Sequence, residues 1–156
     1  MIDSQTSPPI ESALVRRLLD GDFALTAEIT PPVSAGSEEL LSKTAPLSSF
    51  VDAVNVTDGA SARVHLSSLA SAGILKANGI EPIVQFTCRD RNRIALISDL
   101  LGAGAQNINN LLILTGDDPT AGDQPQAKPV FDLKSHELIT IAHEMTTLGL
   151  IPSKGS

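Results

Sequence analysis

The sequence contains no tryptophan and no tyrosine, and its aromatic residues are four phenylalanines. A core without these large rings must be built from Leu, Ile, Val and Ala. Such a core suits parallel strands that are buried on both faces, because those strands read as continuous aliphatic runs. The 156 residues, 42% hydrophobic and 19% charged, are typical of one soluble globular domain.

Cysteine is almost absent, since Cys88 is the only one, and an intrachain disulfide is therefore excluded. No apolar run approaches the length of a membrane span, and the first residues lack the pattern of a signal peptide. We therefore predict a cytoplasmic protein with no membrane partner. Cys88 is interpreted as a small buried residue, because no histidine follows it at a spacing that would support a nucleophile.

Basic residues are few: 11 Lys and Arg stand against 18 Asp and Glu, for a net charge of −7. The only local basic run, residues 89–93, is interrupted by Asp90. Without a Lys and Arg stripe, a nucleic-acid partner is not expected. An anionic cofactor stays possible, because backbone N–H groups can hold it. Arg89 and Arg91 could bind phosphate, but we favour their pairing with Asp90 and Asp99.

Short aliphatic runs recur at roughly the 30-residue length of a βαβ unit. Helical patterns alternate with them, which predicts an α/β fold with a parallel sheet. The predicted strands are residues 23–29, 53–56, 82–86 and 111–114, and the predicted helices are residues 10–19, 37–47, 62–77, 92–105 and 135–148.

One segment, residues 116–133, has no periodicity and is predicted to be a long functional or mobile loop. The three histidines, His65, His136 and His143, fall within predicted helices. They have no spacing typical of metal ligands, so no metal site is expected.

Polar residues stand at the end of every predicted strand. They are Glu28 and Thr30 at the end of the first, residues 57–59 at the second, 87–90 at the third and 115–118 at the fourth. In parallel α/β folds, ligands bind at the carboxyl end of the sheet. The pattern therefore predicts a site at this end without naming a reaction.

Four strand-end segments, in order, resemble the motifs of the methylenetetrahydrofolate reductase family. They read AEITPP at 27–32, NVTDGA at 55–60, FTCRDRN at 86–92 and LTGDDP at 114–119, and Lys128-Pro129 also fits. The similarity runs from about Asp22 to about Leu148. It implies a (β/α)₈ TIM barrel that uses FAD to pass electrons from NADH or NADPH to 5,10-methylenetetrahydrofolate, giving 5-methyltetrahydrofolate.

The resemblance also implies roles for single residues. Glu28 would be the catalytic acid that protonates the leaving nitrogen as the methylene bridge opens. Such an acid must keep its proton near neutral pH, which burial at the barrel mouth would favour. Its alternative role is a strand-end carboxylate that binds a backbone amide or a nearby arginine.

Asp117 would lie near the flavin and the folate pterin ring, where its charge would disfavour an anionic reduced flavin. Gly-Asp-Asp-Pro is also ordinary turn chemistry. The other residues implied to contact the cofactor could equally be strand-end polar groups satisfied by water. They are Thr57, Asp58, Ala60, Gln85, Thr115 and Gly116, and Asp58, Gln85 and Thr115 depart from the residues usual in the family.

A complete barrel needs about 200 residues or more, and nothing resembling a fifth strand follows. We therefore expect only the first four βα units, a half barrel. The predicted divisions are an arm and helix at 1–21, the N-terminal half of the reductase barrel at 22–150 and a truncated tail at 151–156. Unpaired sheet edges predict self-association or pairing with a missing C-terminal half.

Three functions are compatible with these observations. The first is a reductase that is truncated or split and becomes active when its barrel is completed. The second is a non-catalytic half barrel that binds flavin or folate or docks on a partner. The third is a pterin-dependent methyltransferase barrel with the same strand-end acids.

Overall fold

A computed structural model describes residues 12–149 and residue 151. Four parallel strands form one sheet in the order β1-β2-β3-β4, so each strand pairs with its neighbour in sequence. The strands are β1 (Thr26–Ile29), β2 (Ala53–Val56), β3 (Pro82–Thr87) and β4 (Asn110–Leu114), and the helices are α1 (Ala13–Leu19), α2 (Ser37–Thr44), α3 (Ser68–Ala77), α4 (Arg93–Ala105) and α5 (Ser135–Leu148).

The predicted α/β class is confirmed, with corrections at the element ends. β1 begins at Thr26 rather than at residue 23, and α2 ends at Thr44 rather than at residue 47. For the first helix, α1 begins at Ala13; the earlier residues 10 and 11 lie outside the described residues.

The prediction of a helix over residues 62–77 is wrong in its first part. A short 3₁₀ turn occupies Ala60–Ala62, and α3 begins only at Ser68, after Ser67 has capped it by accepting a hydrogen bond from Ala70 N. His65 therefore lies in a loop rather than in a helix. The expected helical positions of His136 and His143 are confirmed, because both lie in α5.

One face of the sheet forms the core with the helices. Val54, Val56, Val84 and Phe86 on this face are fully buried. They belong to one apolar cluster with residues of α2 to α5, namely Leu40, Leu75, Leu96, Leu138 and their neighbours. Side chains alternate along a strand, so the residues between these four point to the opposite face.

The opposite face of the sheet is more polar. The register aligns Glu28 with Asn55, Asn55 with Ile83, and Ile83 with Asn110. At its amino end, the Asn110 side chain accepts a hydrogen bond from Ser12 Oγ at 2.7 Å and donates one to Glu81 at 2.8 Å. These bonds attach the start of α1 to the sheet and leave the carboxyl end of this face for the site.

No helix among the described residues is long and apolar enough to cross a membrane.

Candidate active site

A cleft of about 540 Å³ opens at the carboxyl end of the sheet. It is bounded by the loops that follow β2 and β4 and by side chains of the polar sheet face. Its lining includes all eight residues predicted for the site: Glu28, Thr57, Asp58, Ala60, Gln85, Thr115, Gly116 and Asp117. The fold thus brings the predicted residues together, while their individual roles stay predictions.

Thr57 supplies a buried polar atom without a partner. The residue is only 4% exposed, and its Oγ1 has no hydrogen-bond partner among the described residues. The Oδ1 atom of Asn55, two residues earlier on the same sheet face, is also buried and without a partner there. An unsatisfied buried polar group costs roughly 1–3 kcal/mol, so a ligand that bonds to either atom would remove that cost.

Glu28 on β1 is hydrogen-bonded to Gln85 on β3, across the intervening strand β2. Gln85 Nε2 donates to Glu28 Oε2 at 3.0 Å, and Gln85 is only 5% exposed. The expected burial of Glu28 is wrong for the described residues, because Glu28 is exposed. The reason is its place on the edge strand β1, which pairs with β2 on one side and has no described strand on the other.

The Asp58 carboxylate is already engaged by protein donors. It accepts hydrogen bonds from Thr87 N at 2.8 Å, Thr87 Oγ1 at 3.0 Å and Ser68 Oγ at 3.2 Å. It also forms an ion pair with Arg91. The side chain therefore ties the end of β2 to β3 and α3, and a ligand at this position would meet a carboxylate with four donors.

The predicted pairing of both arginines is confirmed. Arg89 forms two hydrogen bonds with Asp90, at 2.7 and 2.8 Å, and Arg91 bonds to Asp99 at 2.9 Å. The Arg91 guanidinium also lies over the Phe86 ring, 5.3 Å from its centroid. The hydrogen bonds to Asp90 raise the pKa of Arg89 above its ordinary value, so this buried side chain stays charged.

Asp117 connects the two loops at the cleft mouth. Its Oδ2 accepts a hydrogen bond from Ser61 N at 3.0 Å. Ser61 and the next residue, Ala62, have left-handed backbone conformations, with φ of 56° and 54°. Residues other than glycine pay for this conformation with strain of order 1–3 kcal/mol. Asp117 therefore holds a strained turn beside the cleft.

The long loop after β4 is anchored at several points. Asp123 accepts hydrogen bonds from Val64 N, at 3.2 Å to each oxygen. Asp132 accepts a hydrogen bond at 2.7 Å from the backbone N–H of Arg93, the first residue of α4. Val130 N donates to Arg89 O, also at 2.7 Å. A 3₁₀ turn at Pro119–Ala121 interrupts the predicted loop. These contacts fix the loop on the rim of the sheet.

Several residues or contacts that shape the site were not predicted from the sequence. Ser61 and Asn55 gave no signal, since a serine in a loop and a polar residue in a strand are common. Arg89 was predicted to pair with Asp90, but its contacts with the backbone of two other loops were not. The glycines after β2 and β4 were the available signal, because glycine permits the close approach of a neighbouring side chain.

Cys88 is fully buried in the core cluster, as predicted. Burial raises the pKa of its thiol, which disfavours the reactive thiolate.

Comparison with known protein families gives one match. The model of the family described as Methylenetetrahydrofolate reductase matches residues 14–147, a range that begins within α1, contains all four strands and ends in the last turn of α5. A search of curated proteins finds no match. On the extent of the family match, which covers most of the sequence, this chain belongs to the methylenetetrahydrofolate reductase family.

Proposed function

We propose that this chain provides part of the active site of a flavin-dependent methylenetetrahydrofolate reductase. The reaction would reduce 5,10-methylenetetrahydrofolate to 5-methyltetrahydrofolate, with NADH or NADPH as the electron donor. The observation that carries the proposal is the single cleft that gathers Glu28, Thr57 and Asp117 at the carboxyl end of the sheet, in a chain of this family.

The residues of the cleft fit a flavin ring. Its volume of about 540 Å³ is in the usual range for small-molecule sites. The buried Thr57 hydroxyl has no hydrogen-bond partner in the part of the chain that the structure describes, and it can bond to a polar edge of the ring. FAD, when bound, would carry a hydride from the nicotinamide to the folate.

Glu28 would deliver the proton that the reaction needs. Opening of the methylene bridge requires a proton at the leaving nitrogen of the folate, and a positioned carboxylic acid can supply it. Gln85, held in the sheet, donates to one Glu28 oxygen and so fixes the direction of the carboxyl group. Asp117 would accept hydrogen bonds from the pterin ring, and its charge would oppose a negative charge on the reduced flavin.

We also propose that the four strands form half of a (β/α)₈ barrel. Among the described residues, both outer strands, β1 and β4, have a neighbouring strand on one side only, and open parallel edges are rarely left uncovered. Further strands would cover Glu28 and offer donors to Asn55 Oδ1 on the same face. A second copy of the chain or a separate segment could supply them.

The other two functions receive less support. A methyltransferase barrel has no observation in its favour beyond the shared strand-end acids, and the family match favours a reductase. A non-catalytic flavin or folate binder would use the same cleft, so only turnover separates it from an enzyme.

The purified chain should first be mixed with FAD, desalted and examined for visible flavin absorbance. Retained flavin is then reduced with NADH or NADPH, and its reoxidation by 5,10-methylenetetrahydrofolate is followed. Absence of retained flavin, both for the chain alone and for the chain with the C-terminal half of a full-length reductase, would contradict the proposal. Flavin that is retained and reduced but never reoxidised by the folate would favour the non-catalytic binder.

The Glu28→Gln variant tests the acid. We expect reduction of the flavin by the nicotinamide to be unchanged, because that step needs no proton from Glu28. Reoxidation by the folate should slow by about 10²–10⁴-fold, the usual contribution of a general acid. Equal slowing of both steps would show that Glu28 supports the site structurally.

A further inference from the structure

We propose that Arg89 is a positioning residue that holds the two loops of the cleft mouth in register. The loops are residues 59–62, after β2, and residues 115–118, after β4; they are called the cleft loops below. This inference rests on the proposed function, because the cleft loops carry Ala60 and Asp117, which we place beside the flavin.

The Arg89 guanidinium donates five hydrogen bonds. Nε and Nη2 donate to the two Asp90 oxygens at 2.7 and 2.8 Å. Nη1 and Nη2 each donate to Gly59 O at 3.3 Å. Nη1 also donates to Asp117 O at 3.4 Å. A guanidinium has five N–H donors, and these five contacts use them all.

A fully engaged guanidinium is not a ligand site. The side chain is only 5% exposed, and binding a phosphate would require it to give up one of these partners. The structure therefore disfavours phosphate binding at Arg89, the alternative left open by the sequence. The Arg89 side chain instead connects Gly59, the first residue of one cleft loop, to Asp117 in the other.

The two glycines of the cleft loops make room for this arrangement. Gly59 has φ of 60°, and a Cβ atom there would collide with Arg89 Nη2. Gly116 has φ of 97°, and a Cβ atom there would lie 2.8 Å from Arg89 Cβ. Each cleft loop thus has a glycine, which lacks a side chain, where it contacts Arg89. The Arg89 side chain therefore packs directly against the backbone of both loops.

Lysine cannot take over this role. It has three donors on one atom, whereas the planar fork of arginine spreads five donors over three nitrogens. An Arg89→Lys variant keeps the charge and most of the stem but cannot contact Asp90, Gly59 and Asp117 together. It therefore separates the effect of charge from the effect of position.

The test begins with hydrogen–deuterium exchange of the full chain without flavin. In Arg89→Lys and Arg89→Met, amides of both cleft loops should exchange at least about tenfold faster, because each loop loses a buried hydrogen bond. Amides of β2 and β3 should exchange at unchanged rates. Arg63→Lys is the matched control, since Arg63 is exposed beside the first cleft loop, and its exchange should equal that of the unaltered chain.

The second measurement is the affinity for FAD and the absorption spectrum of the bound flavin. Both Arg89 variants should bind FAD about tenfold or more weakly, and the flavin that binds should have a shifted visible band. Arg63→Lys should change neither. If Arg89→Met fails to fold, Arg89→Lys alone decides the result.

The outcomes separate the inference from the proposed function. Unchanged exchange in the cleft loops, or faster exchange in only one of them, would overturn the positioning role. Faster exchange in both cleft loops with unchanged FAD affinity would show that the relative position of the loops does not affect flavin binding. This result would also overturn the positioning role of Arg89. If the unaltered chain never binds FAD, the proposed function fails, while the exchange data still decide whether Arg89 holds the loops together.

Discussion

Single polar atoms determine how the cleft can receive a ligand, and Thr57 is the clearest case. Its hydroxyl is buried next to open space and has no partner among the described residues. Thr44, by contrast, is a fully buried threonine whose hydroxyl donates to Leu40 O at 2.8 Å within α2. Both residues are threonines with almost fully buried side chains, so they form a matched pair for mutagenesis.

Replacement of Thr57 by valine should weaken FAD binding by about 1 kcal/mol, which is about a fivefold loss of affinity, because one hydrogen bond to the ligand is lost. The free energy of unfolding without flavin should stay the same or rise, since a buried unsatisfied group is removed. Flavin titration and urea unfolding measure the two effects.

Thr44→Val is the control, and it should do the opposite. It should lower the unfolding free energy by about 1 kcal/mol and leave FAD affinity unchanged. Loss of stability in Thr57→Val would mean that its hydroxyl has a partner in solution and is not available to a ligand.

Glycine conformations give a second test at this scale. Gly116→Ala should destabilise the fold by more than about 1 kcal/mol, because the left-handed backbone is strained by a Cβ atom and the new atom would meet Arg89 and Thr87. Gly79 also has a positive φ, of 76°, but nothing lies within 4 Å of its Cβ position. Gly79→Ala should therefore cost only the backbone strain. Equal unfolding free energies for the two variants would argue against close packing at Gly116.

At the scale of elements, three strands were predictable to within one residue, whereas the start of β1 and one loop were not. The limits of β2 are as predicted and those of β3 and β4 differ by one residue, because uninterrupted aliphatic runs specify buried parallel strands. Residues 62–67 read as the start of a helix. Ala62 instead ends a short 3₁₀ turn and residues 63–67 form a loop. Asp117 and Asp123 hold this segment by accepting hydrogen bonds from Ser61 N and Val64 N, which are 56 and 59 residues away. A local pattern contains no information about such distant partners.

The residues of the candidate site could also be predicted from the sequence, whereas most of their contacts could not. Its residues could be named from the sequence because they follow parallel strands, whose carboxyl ends meet at one edge. Their contacts could be predicted only where partners are close in sequence, as for Arg89 with Asp90. The ion pair between Arg91 and Asp58 joins two strand ends 33 residues apart and was not foreseen.

Cys88 reports on the stability of β3 and its surroundings. Burial raises the pKa of the thiol, so below the ordinary cysteine range the folded and unfolded chains are both protonated. Above that range the unfolded chain loses its proton first, and stability should fall as the pH rises. At neutral pH, a thiol reagent should modify the folded chain at least about a hundredfold more slowly than the urea-unfolded chain. Comparable rates would mean that β3 opens readily.

At the scale of the whole molecule, the dominant feature is the pair of outer sheet edges, along β1 and β4, that no other described strand covers. Apolar side chains flank both of them. Leu19 and Phe23, before β1, are each 82% exposed, and Leu25 is also exposed. On the side of β4, α5 exposes Ile139 and Leu148. Exposed apolar groups beside unpaired strands are typical of surfaces that associate.

The chain alone should therefore elute in size-exclusion chromatography as a species larger than its 16.3 kDa. The double variant Phe23→Lys, Leu25→Lys should shift it toward the monomer, because charge beside an edge strand opposes pairing. Ile94→Lys is the control, since Ile94 is similarly exposed but lies in the first turn of α4, a helix that contacts α3 and α5. An unaltered chain that elutes as a monomer would contradict the expected self-association.

The order of the strands in the sheet also bears on how the protein is made. Each strand pairs with the one immediately before it in the sequence. A ribosome releases a chain from its N-terminus, so every new βα unit emerges beside a strand that is already available to receive it. The outer edge of β1 is the exception, because no later described strand covers it, and it therefore stays unpaired while the following βα units are added.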